Sequence, residues 1–94
     1  MAANINALYM VKELSDAYME ELSRRNFVYQ YLELLRLLEH KTLKIENICK
    51  YLYWKPSEVK NVIRRGVEYG LIRKVGTWRF TLTNKGFTML KVIE

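Results

Sequence analysis

The sequence predicts a single, mainly α-helical domain with a small β-hairpin near its C-terminal end. The length of 94 residues is typical of one domain. Residues 1–55 contain neither glycine nor proline, and this favours long helices in the first half of the chain. In the second half, Pro56, Gly70 and Gly76 stand where a helix is expected to begin, where it ends and where a hairpin turns.

The first predicted helix needs a partner for its apolar side. Its apolar residues recur at three- and four-residue spacing and form one stripe: Ala7, Met10, Val11, Leu14, Ala17, Tyr18 and Leu22. We expect a break at residues 23–26, with Asn26 capping the next helix; a continuous helix from about residue 6 to residue 40 is the alternative. Between Phe27 and Leu38 the apolar residues nearly encircle the helix, so this segment is expected to be the buried centre of the domain.

Two short helices joined by a tight turn are predicted next. A short strand at residues 43–45 precedes a helix over about residues 45–53. The second helix spans residues 56–69. Pro56 suits its first position because a missing N–H is not needed there, and Gly70 suits a left-handed helix end.

The β-hairpin and a last helix complete the predicted domain. Residues 71–75 and 78–83 are predicted strands, with a tight turn at Gly76-Thr77 between them. Apolar and polar residues alternate in the second strand. Trp78 is expected to pack against the body of the domain, and a place on a partner surface is the alternative. Thr83 is expected to cap a helix over residues 84–93.

Basic residues concentrate in the second half of the chain, within a total net charge of +6. Residues 1–40 hold four Lys or Arg against six Asp or Glu, a net charge of −2. Residues 41–94 hold twelve against four, a net charge of +8. This segregation predicts that the second half meets a polyanion while the first half has another task.

The composition argues against several other classes of protein. One cysteine, Cys49, and one histidine, His40, supply neither an internal disulfide nor a zinc-ligand set, so we expect no metal. The sequence shows no Ser/His/Asp set and no phosphate-cradling glycine loop, so we expect no enzymatic activity and no cofactor. No apolar run approaches the ~20 residues of a membrane span, and residues 1–6 do not form a secretory signal, so a cytoplasmic protein is expected.

Residues 34–90 resemble a winged helix-turn-helix of bacteria or archaea, similar to the repressors of the multiple-antibiotic-resistance and phenolic-acid-decarboxylase types. Gly70-Leu71-Ile72 matches the Gly-Leu-Val/Ile entry to the wing, and Leu82-Thr83-Asn84-Lys85-Gly86 matches the Leu-Thr-x-x-Gly exit. The apolar positions that stand where the family keeps its core are Ile45, Ile48, Leu52, Trp54, Val59, Ile63, Leu71 and Ile72.

Two positions depart from the pattern of the family. Tyr53 occupies the turn between the two helices, where glycine is usual. Gly66 replaces a usual core leucine of the second helix, at a cost of about 1 kcal/mol relative to alanine. Either Val67 takes over the packing, or Gly66 allows another backbone segment to come close.

The resemblance implies one winged-helix domain over residues 1–94 that forms a two-fold dimer. Residues 1–25 would be the dimerisation helix, 26–83 the winged helix-turn-helix core and 84–94 the C-terminal helix. The expected dimer interface consists of Leu8, Val11, Leu14, Tyr18, Leu22, Phe87, Leu90 and Ile93.

The resemblance also implies binding to double-stranded DNA, with helix 56–69 in the major groove and wing 71–83 on the backbone or minor groove. Val59 and Ile63 would face inward, which leaves positions i, i+3, i+4 and i+7 from Ser57 on the outer face. Asparagine pairs with adenine and arginine with guanine, and lysine suits phosphate. The expected DNA contacts are Lys55, Ser57, Lys60, Asn61, Arg64, Arg65, Lys74, Thr77 and Arg79.

Three functional hypotheses remain open from the sequence. The leading one is a homodimeric, nucleoid-associated transcriptional regulator. The sequence does not identify a small-molecule effector. The second is a plasmid-partition or architectural protein that spreads along DNA. The third is a protein-interaction module that uses Tyr53, Trp78 and the N-terminal apolar stripe.

Overall fold

The architecture is a helical body with a small antiparallel sheet at one side. The computed structural model describes the backbone of residues 3–94 and the side chains of residue 13 and residues 15–94. The elements in chain order are α1 (Ala3–Gln30), α2 (Leu32–Leu38), β1 (Leu43–Lys44), α3 (Ile45–Leu52), α4 (Pro56–Glu68), β2 (Ile72–Val75), β3 (Arg79–Leu82) and α5 (Asn84–Ile93). The predicted mainly α-helical class with a β-hairpin is confirmed.

The predicted helix break at residues 23–26 is wrong. Helix α1 continues to Gln30, and the interruption falls at Tyr31. The Tyr31 N–H donates to the Phe27 carbonyl at 3.0 Å, and the Leu35 N–H donates to the Tyr31 carbonyl at 3.1 Å, so helical pairing continues across it. Asn26 caps no new helix because it lies inside α1. The Ser23 hydroxyl donates to the Met19 carbonyl at 2.9 Å, within the same helix.

The core lies where α2 meets the two short helices, the sheet and α5. Its buried residues are Phe27, Val28, Leu34, Leu35, Leu38, Ile48, Val59, Val62, Ile63, Leu71, Ile72, Leu82, Met89 and Leu90. The segment 27–38 is therefore the buried centre that its apolar pattern predicts. Among the residues that the structure describes, no helix combines the length and apolar composition needed to cross a bilayer.

Helices α3 and α4 form the helix-turn-helix. Tyr53 ends α3 in the left-handed conformation, with φ 58° and ψ 31°. Its side chain is 94% exposed, so packing does not hold it there and the backbone bears the strain. Lys55 is extended, and Pro56 begins α4 at the first helical position, as predicted.

The wing is a hairpin of β2 and β3, extended by β1 into a three-stranded sheet of order β1-β3-β2 within the described residues. Val75 pairs with Arg79, so the loop has three residues, 76–78, and the predicted two-residue turn is wrong. Trp78 consequently belongs to the loop and not to β3. On the other edge of β3, Leu43 pairs with Phe80 and Lys44 with Arg79.

The junction between the wing and α5 explains the Leu-Thr-x-x-Gly pattern. The Thr83 hydroxyl accepts from the Gly86 N–H at 2.9 Å, which caps α5, and it donates to the Gly70 carbonyl at 2.6 Å. The Thr83 N–H donates to the Leu71 carbonyl at 3.0 Å. A Cβ atom at position 86 would lie 2.1 Å from that same Leu71 oxygen, so only glycine fits.

Gly66 packs differently from either sequence expectation. A Cβ atom there would lie 2.4 Å from the Cδ1 atom of Ile72, so Gly66 makes room for a side chain of β2 and not for a backbone segment. Val67 does not take over the packing, because its side chain is 45% exposed. Ile72 instead fills the space that a leucine at position 66 would occupy, and this contact seats the wing on α4.

Candidate nucleic-acid interface

Helix α4 presents one polar face to solvent. Its inward positions Val59, Val62, Ile63 and Gly66 are buried. Because these four residues occupy one side of the helix, the opposite side projects away from the body. The predicted residues of that outer side are all exposed, namely Ser57, Lys60, Asn61 and Arg64. The structure therefore brings together a hydroxyl, an ammonium, an amide and a guanidinium group on one accessible surface.

Arg65 lies on a flank of α4, apart from this outer face. Its guanidinium carbon is 5.6 Å from the centroid of the buried Phe27 ring, over which it packs. A hydrogen bond with Tyr69 raises the pKa of Arg65 above its ordinary value, although desolvation partly opposes the shift. Arg65 is thus engaged with the helical body, and a phosphate contact from it would come from the side of the helix.

Asn61 lines a shallow cleft on the same flank. The cleft has a volume of about 260 Å³ and is lined by Tyr31, Trp54, Glu58, Asn61 and Val62. The Tyr31 and Trp54 rings pack edge to face, with 6.1 Å between their centroids. Glu58 is a negative neighbour of Asn61 in this cleft, which the polar face predicted from helical periodicity did not include.

The register of the wing places its two predicted basic contacts on opposite faces. Lys74 pairs with Phe80, and directly opposed residues of a hairpin project to the same side. Arg79 pairs with Val75 and is the neighbour of Phe80 along β3. Because successive side chains of a strand alternate in direction, Arg79 projects to the other side. Lys74 and Arg79 are both exposed, and they flank the wing instead of forming one patch.

A second cleft separates the wing from the start of α3. Its volume is about 470 Å³, and it is lined by Lys44, Ile45, Glu46, Lys74, Thr77, Trp78 and Phe80. The predicted contacts Lys74 and Thr77 therefore line the same cleft near the wing tip. Lys44 and Glu46 also line this cleft and were not among the predicted contacts. The pairing of β1 with β3 brings them there, and that pairing leaves no local signal in the sequence.

The expectation that Trp78 packs against the body is wrong. Its side chain is 71% exposed. The reason is the three-residue loop, which carries residue 78 beyond the last pair of the hairpin, Val75 and Arg79.

The residues expected at a dimer interface divide into three groups. The side chains of Leu8, Val11 and Leu14 lie outside the described residues. Tyr18 is 66% exposed, Phe87 is 36% exposed, and Leu22 and Ile93 are half-buried. The prediction that Leu90 lies at a dimer interface is wrong. Leu90 is completely buried in the core of its own chain, so it has no exposed surface for a partner.

Solved structures share this architecture. The chain is similar to Sco5413, a MarR family transcriptional regulator from Streptomyces coelicolor, with a TM-score of 0.62 and 23% identity over 93% of this chain and 71% of that one. It is also similar to HlyU, a transcriptional regulator from Vibrio vulnificus CMCP6, with a TM-score of 0.63 and 20% identity over 90% of this chain and 93% of that one. Neither a protein-family model nor a curated protein matches the sequence. At these identities the likeness establishes the fold, and it confirms the predicted winged helix-turn-helix.

Proposed function

We propose that the protein is a homodimeric, sequence-specific DNA-binding transcriptional regulator. The observation that carries the proposal is the outer face of α4, where Ser57, Lys60, Asn61 and Arg64 are exposed together. Amide and guanidinium groups on one helix face are the groups that read adenine and guanine edges in the major groove. The fold shared with Sco5413 and HlyU, both described as transcriptional regulators, supports the same function.

The distribution of charge supports DNA as the partner. The half of the chain that contains α3, α4 and the wing carries a net charge of +8. Lys55 is exposed at the start of α4, while Lys74 and Arg79 are exposed on the wing. These groups suit the phosphates on either side of a major groove that α4 would occupy.

A second copy of the chain is the proposed partner of α1. Residues 15–20 are exposed in an unbroken run, and six residues cover every side of a helix with 3.6 residues per turn. A helical segment without tertiary packing is only marginally stable in water. Packing of its apolar side chains against another helix would stabilise it. Tyr18 and Met19 are 66% and 55% exposed there, and they suit an interface with an equivalent helix.

The function is tested by selecting duplexes from a random pool and measuring affinity as the salt concentration changes. If about six phosphates are neutralised, the logarithm of affinity falls with that of salt with a slope near −5. A two-fold dimer predicts an inverted repeat with half-sites about 34 Å apart. Salt-independent binding, or no duplex binding at low salt, would refute the proposal. A single compact footprint supports regulation, whereas a growing footprint indicates spreading along DNA.

Single substitutions separate base reading from phosphate binding. Arg64→Ala is expected to weaken binding to the selected site by roughly 1–3 kcal/mol and to relax base preference at one position. Lys74→Ala is expected to weaken binding to all DNA sequences alike and to make the slope of affinity against salt less steep by about 1. Arg25→Ala on α1 is the matched control, since it removes an exposed arginine away from α4 and the wing. An Arg64→Ala effect no larger than that of the control would contradict the assigned role.

The dimer is tested by molar mass in solution at micromolar concentration, with Tyr18→Glu as the disruptive variant. Glu20→Gln changes an equally accessible residue of the same run and serves as the control. We expect the wild type and the control to have twice the mass of the chain, and Tyr18→Glu to shift toward one chain. A monomeric wild type would exclude the dimer.

A further inference from the structure

Trp78 is an exposed tryptophan at the tip of the wing. Its side chain is 71% exposed, although tryptophan usually buries a large apolar area. It is the last residue of the loop 76–78, directly before Arg79, where the hairpin pairing resumes. A side chain at this place contributes little to the core. The large apolar ring of Trp78 is therefore available for contact with another molecule.

The surroundings of Trp78 are basic. The cleft between the wing and α3 brings Trp78 together with Lys44 and Lys74. Arg79 follows it in sequence and pairs with Lys44 across the sheet. Glu46 is the one acidic residue among the described residues that line this cleft. The tip therefore combines one large aromatic ring with cations on both faces of the hairpin.

We propose that Trp78 is an apolar wedge that the wing inserts at a base step in the minor groove of duplex DNA, where it bends the double helix. This inference rests on the proposed function. Minor-groove proteins insert apolar side chains between base pairs while adjacent cations hold the backbone, and the duplex bends toward the major groove. Trp78 supplies the apolar group, and Lys44, Lys74 and Arg79 are the cations beside it.

The alternative occupant, a partner protein, fits this surface less well. Lysine is depleted at protein interfaces, although aromatic residues and arginine are enriched there. Here a single exposed ring shares a cleft with two lysines and precedes Arg79 in the chain. The next aromatic residue along the chain, Phe80, is packed against the core. Charge complementarity therefore favours a polyanion that also offers flat aromatic groups, as DNA does with its phosphates and its bases.

The test compares wild type with Trp78→Ala and Trp78→Phe on one selected duplex. Affinity is measured over a range of salt, and bending is measured by energy transfer between dyes at the two DNA ends. We expect the wild type to bend the duplex by at least about 20°. Trp78→Ala should bind about tenfold more weakly and leave the duplex straighter, and Trp78→Phe should keep most of both effects. The salt slope should stay unchanged in both variants, because no charge is removed.

Tyr29→Ala is the matched control, since Tyr29 is 72% exposed but lies on α1. Equal affinity and equal bending by wild type and Trp78→Ala would overturn the wedge while leaving the proposed function intact. An unbent duplex in the wild-type complex would also overturn it. Failure of the wild type to bind any duplex at low salt would overturn both. Melting temperatures close to wild type establish that the variants fold, as expected for an exposed position.

Discussion

Replacing Gly86 by alanine should destabilise the fold at the junction that joins the wing to α5. The new Cβ atom would lie 2.1 Å from the Leu71 carbonyl oxygen, which is 1.3 Å less than the 3.4 Å at which ordinary contact begins. The obstacle is backbone, so it cannot turn aside as a side chain does. The Leu71 oxygen also accepts the Thr83 N–H at 3.0 Å, and moving the carbonyl away weakens that hydrogen bond.

Three effects determine the magnitude. Overpacking typically costs about 1–3 kcal/mol. Loss of one hydrogen bond costs about 0.5–1.5 kcal/mol. Alanine recovers about 1 kcal/mol of helix propensity relative to glycine. The balance is a loss of roughly 2 kcal/mol, which lowers the melting temperature of a domain of this size by about 8–16 °C.

The assay is thermal and urea unfolding at one fixed protein concentration, because the stability of the proposed dimer would depend on protein concentration. Gly66→Ala is the informative comparison. Its Cβ atom would meet the end of the Ile72 side chain at 2.4 Å, an obstacle that can rotate, so a smaller loss is expected. A Gly86→Ala protein as stable as wild type, or more stable than Gly66→Ala, would refute the reasoning.

Two further predictions concern the turn and the C-terminal helix. Tyr53→Gly should raise stability by up to about 1 kcal/mol in urea unfolding, because it relieves a left-handed tyrosine that is 94% exposed. A loss of stability would contradict this account of the turn. Glu39 accepts a hydrogen bond from the Lys91 ammonium at 2.9 Å, and this lowers the pKa of Glu39. A carboxyl group whose pKa is lowered in the folded state stabilises the fold at pH values above its ordinary pKa. That contribution is lost as the pH falls through the lowered pKa. The melting-temperature advantage of wild type over Glu39→Gln should therefore be present at pH 7 and shrink between about pH 5 and pH 3. An advantage that stays constant with pH would contradict this role for the ion pair.

Local patterns were enough to predict most of the elements. Pro56 and Gly70 mark the ends of the second helix, and Thr83 marks the start of α5, because each satisfies a backbone requirement within a few residues of itself. The break in the first helix was predicted wrongly for a related reason. Asn26 looks like a capping residue, but such a residue does not end a helix that continues through it, as α1 does to Gln30.

The candidate interface was predictable in the part that lies on α4. An outer face follows from helical periodicity once the buried positions are known, and Val59 and Ile63 were recognisable as apolar residues. The wing was not predictable to the same degree. Lys74 and Arg79 are close in sequence to the same turn, yet a loop of three residues instead of two sends them to opposite faces.

The amino-acid sequence was sufficient for the order of the elements, for the polar face of α4 and for the concentration of positive charge in the second half, because propensity, periodicity and charge are properties of neighbouring residues. The tertiary structure was needed to learn that Ile72 fills the space above Gly66, that Lys44 joins the wing, that Leu90 is withdrawn into the core and that Trp78 is left in solvent. These outcomes depend on contacts between segments far apart in the chain and on a strand register in which one residue reverses the direction of every side chain.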